Sequence, residues 1–266
     1  MSTSLEQLTA KEQRRFTKCP IQCRRFDVRI RNLSDYISVM SMPGSLWYRG
    51  HADLAWRLGP SALRYETEER RNTALALIAE FRRVGEMKLQ RPPSFDAVLN
   101  WAQLAQHYGL PTRLLDWTES PTVALFFACQ NETCDGVVFM MNPVDLNRAS
   151  FPKKPRILDA HADAKIIARY LSLTGNADSK PKRKSVAINP VWNSERIMAQ
   201  KGMFTLHGTS FDLDSQQVPS LVAVPILREA KATLQQDLER IGVDEMSLFP
   251  ELEHACNYLK RRAGLC

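Results

Sequence analysis

The stretch Trp101–Cys129, WAQLAQHYGLPTRLLDWTESPTVALFFAC, decides the fold of this chain. Trp101, Leu104, Ala105 and Tyr108 recur three or four residues apart, the period of an amphipathic helix. Gly109 and Pro111 end that helix. Leu114–Thr118, LLDWT, follows as a short strand. Ser120 and Pro121 then open a second helix, with Ser120 as its N-cap and Pro121 at its first position. Val123, Ala124, Phe127 and Ala128 form the face that this helix buries. The pattern therefore packs His107, Arg113, Asp116, Thr118 and Ser120 into a helix–turn–strand–helix junction. Polar groups between apolar walls cost free energy unless they pair with one another or with a ligand. Two readings stand: Arg113 pairs with Asp116 and Ser120 only caps, or the junction frames a pocket for a polar ligand. In the second, Ser120 and the open N–H groups of the helix hold an anionic group.

Outward from this stretch, elements alternate. Asn32–Met40 reads as a helix and Ser45–Gly50, SLWYRG, as a strand. Trp56 and Leu58 anchor the loop that follows. Glu68–Lys88 is a long helical pattern carrying Leu75, Leu77, Ile78, Phe81 and Val84, and Pro92-Pro93 breaks it. Asp135-Gly136 turns into Val137–Met141, an uninterrupted apolar run that fits a strand buried on both faces. A helix is expected over Ala162–Leu173, a polar loop over Gly175–Lys184, and short strands at Val186–Ile188 and Val222–Ile226. Helices follow at Arg228–Ile241 and Leu252–Arg262. No internal repeat and no linker is evident. The expectation is one α+β domain over residues 32–266, preceded by an extension over residues 1–31.

The chain has 266 residues, 44% of them hydrophobic, enough for a sizeable core. No apolar run reaches membrane-spanning length and the polar start is no signal peptide, so a soluble cytoplasmic protein is expected. Six scattered cysteines, with Cys19 and Cys23 unmatched by a second pair, predict reduced thiols and no metal site. A net charge of +7 is compatible with a nucleic-acid, nucleotide or acidic partner. Much of the excess lies between Arg148 and Lys184, including Lys153, Lys154, Lys182 and Arg183.

Tyr48-Arg49-Gly50, then Trp56-Arg57-Leu58 and Ser61, resemble the FRG-domain family, named for an aromatic–Arg–Gly signature. AQHYGLPTRLLDWTESPTVALFFA is that family's most specific block. Arg196-Ile197, Gln200, Gly202 and Phe204 look like its third, and Gly242–Leu252 like its fourth. Three of these blocks also resemble the parts of an ADP-ribosyltransferase. An early strand bears an NAD-holding Arg, matched by Arg49. A second strand bears a Ser/Thr motif followed by an Ala- and Phe-rich helix, matched by Asp116–Ser120 and Ala124–Ala128. A third strand bears a catalytic glutamate, for which Glu195 is the nearest match and Gln200 a rival.

That resemblance implies a split ADP-ribosyltransferase-like β core surrounded by helices, with NAD as substrate. Arg49, Glu195 and Gln200 are then the candidate catalytic residues. Tyr48, Arg49, Gly50, His107, Arg113, Thr118 and Ser120 are candidates for holding NAD. Arg49 offers a fork of donors to a diphosphate or ribose. Gly50 lets the backbone approach the cofactor, and Tyr48 or Trp47 stacks on a ring. His107 is either a general base or a hydrogen-bonded packing residue. Lys153, Lys154, Lys182 and Arg183 are candidate contacts to a nucleic-acid acceptor, RNA ahead of DNA. By analogy with related toxins, such an enzyme needs restraint, which implies a toxin or antiviral-defence role and a protein antitoxin. Two other classes remain open: a non-catalytic nucleotide or nucleic-acid binding module, and a metal-free nuclease using His107 and Asp116.

Overall fold

A computed structural model describes residues 5–21, 23–41, 44–171, 184–208, 213 and 218–265. Its strands are β1 (Arg24–Arg25), β2 (Trp47–His51), β3 (Leu114–Thr118), β4 (Gly136–Met141), β5 (Val186–Ile188), β6 (Gly202–Leu206) and β7 (Val222–Ile226). The helices among the described residues are α1 (Ala10–Arg15), α2 (Leu33–Met40), α3 (Glu68–Lys88), α4 (Val98–His107), α5 (Pro121–Ala128) and α6 (Pro143–Arg148). Beyond them come α7 (Ala164–Leu171), α8 (Glu195–Ala199), α9 (Arg228–Arg240), α10 (Glu245–Leu248) and α11 (Leu252–Arg262).

All seven strands join one mixed sheet in the order β1-β7-β4-β2-β3-β6-β5, parallel only at β1–β7. The fold is α+β, a sheet surrounded by helices. Its centre is thin. β2 pairs with β4 at five positions and β3 with β6 at five, but β2 meets β3 only at Tyr48 opposite Thr118. The sheet is therefore two halves joined by a single rung, and the two strands splay apart beyond it.

Alternation along the strands sends side chains to two faces. On one, Tyr48, Val138, Met140, Val222 and Val224 pack under α2, α5 and α9. Farther along the same face, Leu114, Phe204, Leu206, Val186 and Ile188 pack under α4 and α7. These two cores stay separate, one on each side of the split. The opposite face carries a single core of Trp47, Leu115, Trp117, Val137, Phe139, Met141 and Met203.

That opposite face is covered in part by residues before Asn32. Leu8, Phe16 and Ile21 are buried there, and β1 adds an edge to β7. Arg15 donates to Asp135 and Glu229. The stretch read from sequence as an extension is thus folded onto the domain. Its short apolar anchors are spaced too irregularly for either periodicity to flag them.

Local signals set the element ends. Asn32, Thr67 and Ser120 accept main-chain N–H bonds as N-caps of α2, α3 and α5. Gly109, at φ 84°, lets the chain reverse after α4. The helix expected at Ala162–Leu173 is present over Ala164–Leu171. Residues 172–183, with most of the expected polar loop, lie outside the described residues.

Candidate functional site

A cleft of about 420 Å³ opens over the split, between the two cores. Its floor is β2, β3 and the start of β6, through Tyr48, Arg49, Gly50, Asp116, Thr118, Gly202 and Phe204. One wall is α5, through Val123, Ala124 and Phe127; the other is α4, through Gln103, Gln106 and His107. Trp56, Arg196 and Gln200 also line it. The volume falls in the range of small-molecule and cofactor sites.

Arg49 is the centre of this cleft. By alternation its side chain belongs to the opposite face with Trp47 and His51, yet it rises through the gap where β2 and β3 part. Its Nη1 donates to the Asp116 carbonyl at 2.6 Å, filling a main-chain position the missing ladder leaves open. The Asp116 carboxylate stands 3.8 Å away. Nε donates to His51 Nε2 at 2.9 Å. Burial lowers the guanidinium's pKa to about 10, against the pull of Asp116 and with a push from Arg64; at neutral pH it keeps its charge.

Asp116 is the one carboxylate among the described residues that line the cleft. It does not pair with Arg113. It accepts from Gln106 Nε2 at 2.6 Å, whereas Arg113 is buried and donates Nη1 to the Gly208 carbonyl. The sequence left such a pair open because both residues sit in the polar junction, three apart. On a strand, however, that spacing places them on opposite faces.

The other candidates divide. Thr118 lines the cleft and donates Oγ1 to the Gln200 carbonyl at 2.6 Å. Its oxygen also accepts from Ser120 N–H at 3.0 Å. Ser120 is the cap of α5 and does not line the cleft. Gln200 lines it, with its amide Nε2 donating to the Leu248 carbonyl at 3.1 Å. Next to it, Lys201 is the one described non-glycine residue at positive φ, 46°. Such a conformation beside a cleft is often tied to function.

Glu195 lies elsewhere, in an adjoining hollow of about 200 Å³ with Glu251 and Pro250. His107, Ser194 and Arg196 line both spaces. His107 stands 3.7 Å from Glu251 and packs edge-on against Tyr108. Lys153 and Lys154 are exposed and do not line the cleft; Lys182 and Arg183 lie outside the described residues.

Gly50 lines the cleft, but its missing side chain answers to packing. A Cβ there would lie 1.9 Å from the Ala124 carbonyl oxygen and 2.7 Å from Ala128 N. Helix α5 crosses the strand at this point, so the glycine seats a wall of the cleft.

Sequence reasoning missed His51, Gln103 and Gln106. Gln103 is buried and brackets the Val191 main chain, donating at 3.3 Å and accepting at 3.2 Å. It thereby ties residues 189–194 to α4. Period alone marked Gln103 and Gln106 as polar positions on a helix whose apolar face was already filled. His51 was legible only as the residue two beyond Arg49, hence on its face of the strand. Among the described residues no group of three His, Cys, Asp or Glu side chains is placed to hold a metal. No described helix is long and apolar enough to cross a membrane.

An α+β domain with a largely apolar cleft over a split sheet, carrying a few converging polar groups, is the class that fold and site define. Residues 44–135 match the FRG domain family. The matched span holds β2 and β3, which form most of the cleft floor, and α4 and α5, which form its two walls; the β6 part of the floor lies outside it. No curated protein and no solved structure matches the chain.

Proposed function

We propose that the chain is an NAD-dependent ADP-ribosyltransferase that modifies a macromolecular acceptor, a nucleic acid with RNA ahead of DNA. The observation carrying this reading is the convergence of Arg49, Thr118 and Gln200, from three separate sequence blocks, on one cleft. In such a reaction the ribose–nicotinamide bond breaks and nicotinamide leaves. An acceptor nucleophile bonds to the same ribose carbon and gives up its proton. Positive charge builds on the sugar, and a nearby carboxylate stabilises it. In this reading Arg49 grips the diphosphate or ribose and Thr118 and Gln200 shape the nicotinamide side. Asp116 supplies the negative charge within the cleft, while Glu195, in the adjoining hollow, faces the acceptor.

The test incubates the protein with labelled NAD and, separately, total RNA, DNA and lysate protein. Transfer of label to RNA or DNA is the expected result. Asp116→Asn and Gln200→Ala should abolish transfer with the thermal melt retained; full activity in both would refute the assignment. The neutral amide at Gln200, where the ADP-ribosyltransferase resemblance implies a glutamate, favours one second reading: a binding module that holds the nucleotide without transfer. Salt-sensitive binding with no label transferred would establish it. Toxicity on expression, lost in the same variants, would support a toxin role held in check by a protein antitoxin.

A further inference from the structure

Arg49 and His51 are two apart on β2, so both side chains leave the same face of the strand. His51 is buried, 1% exposed, with its ring edge-on to Phe139 at 5.2 Å. Arginine Nε–H can only donate. The 2.9 Å contact therefore requires His51 Nε2 to be the bare nitrogen, with the ring proton on Nδ1. Burial, and the nearby charges of Arg49 and Arg64, hold this imidazole neutral, its pKa well below the ordinary histidine value.

We propose that His51 is a positioning residue for the cleft: its neutral imidazole pins Arg49 Nε and turns the open edge of the guanidinium toward the ligand. An unrestrained arginine samples many rotamers, and a binding event must then stop that motion. Here two bonds, to His51 Nε2 and to the Asp116 carbonyl, fix the plane of the fork before any ligand arrives. The Nη2 edge is left for an anionic oxygen of the ligand. Packing against Phe139 needs only a ring-sized apolar body at position 51. The bond to Arg49 needs an acceptor about where Nε2 lies, which a glutamine carbonyl reproduces and a leucine does not.

The inference rests on the NAD reading only for the identity of the ligand. Its test uses the full chain and the variants His51→Leu, His51→Gln, Arg49→Gln and His51→Leu/Arg49→Gln. With ¹⁵N-labelled protein, solvent exchange of the Arg49 Nε–H is measured by NMR. The signal should exchange slowly in the parent and in His51→Gln, and rapidly in His51→Leu. By calorimetry, NAD should bind His51→Leu about tenfold more weakly than the parent and His51→Gln within about threefold. In the double variant the loss should be no greater than in Arg49→Gln alone. Slow exchange persisting in His51→Leu, parental affinity in His51→Leu, or additive losses in the double variant would each overturn the proposal. If the parent itself binds no NAD, the transferase reading falls instead, and the Nε–H exchange still decides whether His51 holds the guanidinium.

Discussion

Replacing Gly50 by alanine separates two explanations of the same residue. If the glycine serves close approach of a ligand, the variant should fold normally and bind poorly. If it seats α5 on β2, the variant should lose stability with no ligand present. The geometry favours the second. An added Cβ would stand 1.9 Å from the Ala124 oxygen and 2.9 Å from the Ala124 carbonyl carbon, both backbone atoms of α5. No side-chain rotation relieves this, so the helix must retreat by about 1.5 Å to reach ordinary contact. Overpacking of this kind costs about 3 kcal/mol when backbone must move. In a chain of this size that lowers Tm by about 6–12 °C. Scanning calorimetry on the ligand-free protein reads the effect directly. A useful control is Gly109→Ala, where φ is 84° but nothing lies within 4 Å of the new Cβ. Its cost is backbone strain alone, about 1 kcal/mol. A melt for Gly50→Ala no lower than that of the control would refute the packing argument.

Further expectations concern single contacts. Ser120→Ala removes the hydroxyl that accepts Val123 N–H at the start of α5, and should cost about 1 kcal/mol in chemical denaturation; Ser120→Asn should largely restore it. Thr205→Val leaves the buried Trp117 indole N–H without its 3.1 Å acceptor, and should destabilise by about 1–3 kcal/mol at nearly unchanged volume. Glu12 gives a pH signature: burial pushes its carboxyl up, but hydrogen bonds from Arg29 and Thr9 outweigh this and bring it to about 2, from 4.5. A depressed carboxylate contributes stability above its unfolded value, and that contribution is lost as pH falls. Melts taken between about pH 5 and 2 should therefore fall less steeply in Arg29→Gln than in the parent; parallel curves would sink the assignment.

Most elements were legible because their signals are local. The Ser120 cap, the double proline after α3 and the continuous apolar run of β4 depend on neighbours in sequence alone. The β4 run has both faces covered, as its composition implies. Less legible was whatever depends on register. Nothing in SLWYRG or LLDWT says that these strands share one rung, yet that rung count is what brings Arg49 into the cleft. Nor does spacing distinguish Glu195 from Gln200, five apart; they stand at the two ends of the short helix α8, which leaves Gln200 at the cleft and Glu195 in the adjoining hollow. The first thirty-one residues were unreadable for another reason. Arg24–Arg25 pair in parallel with Val222–Ala223, and a two-residue edge strand leaves no periodicity to find.

That last pairing bears on when the molecule can be whole. Arg24 leaves the ribosome nearly two hundred residues ahead of the Val222 it must meet. Until then Leu8, Phe16 and Ile21 have no finished surface to settle on, and Arg15 waits for both Asp135 and Glu229. Such distant closure slows folding and keeps greasy surface uncovered during synthesis. The start of the chain is thus among the last parts to be stitched in, and a nascent chain halted before β7 carries an open seam along its outermost edge.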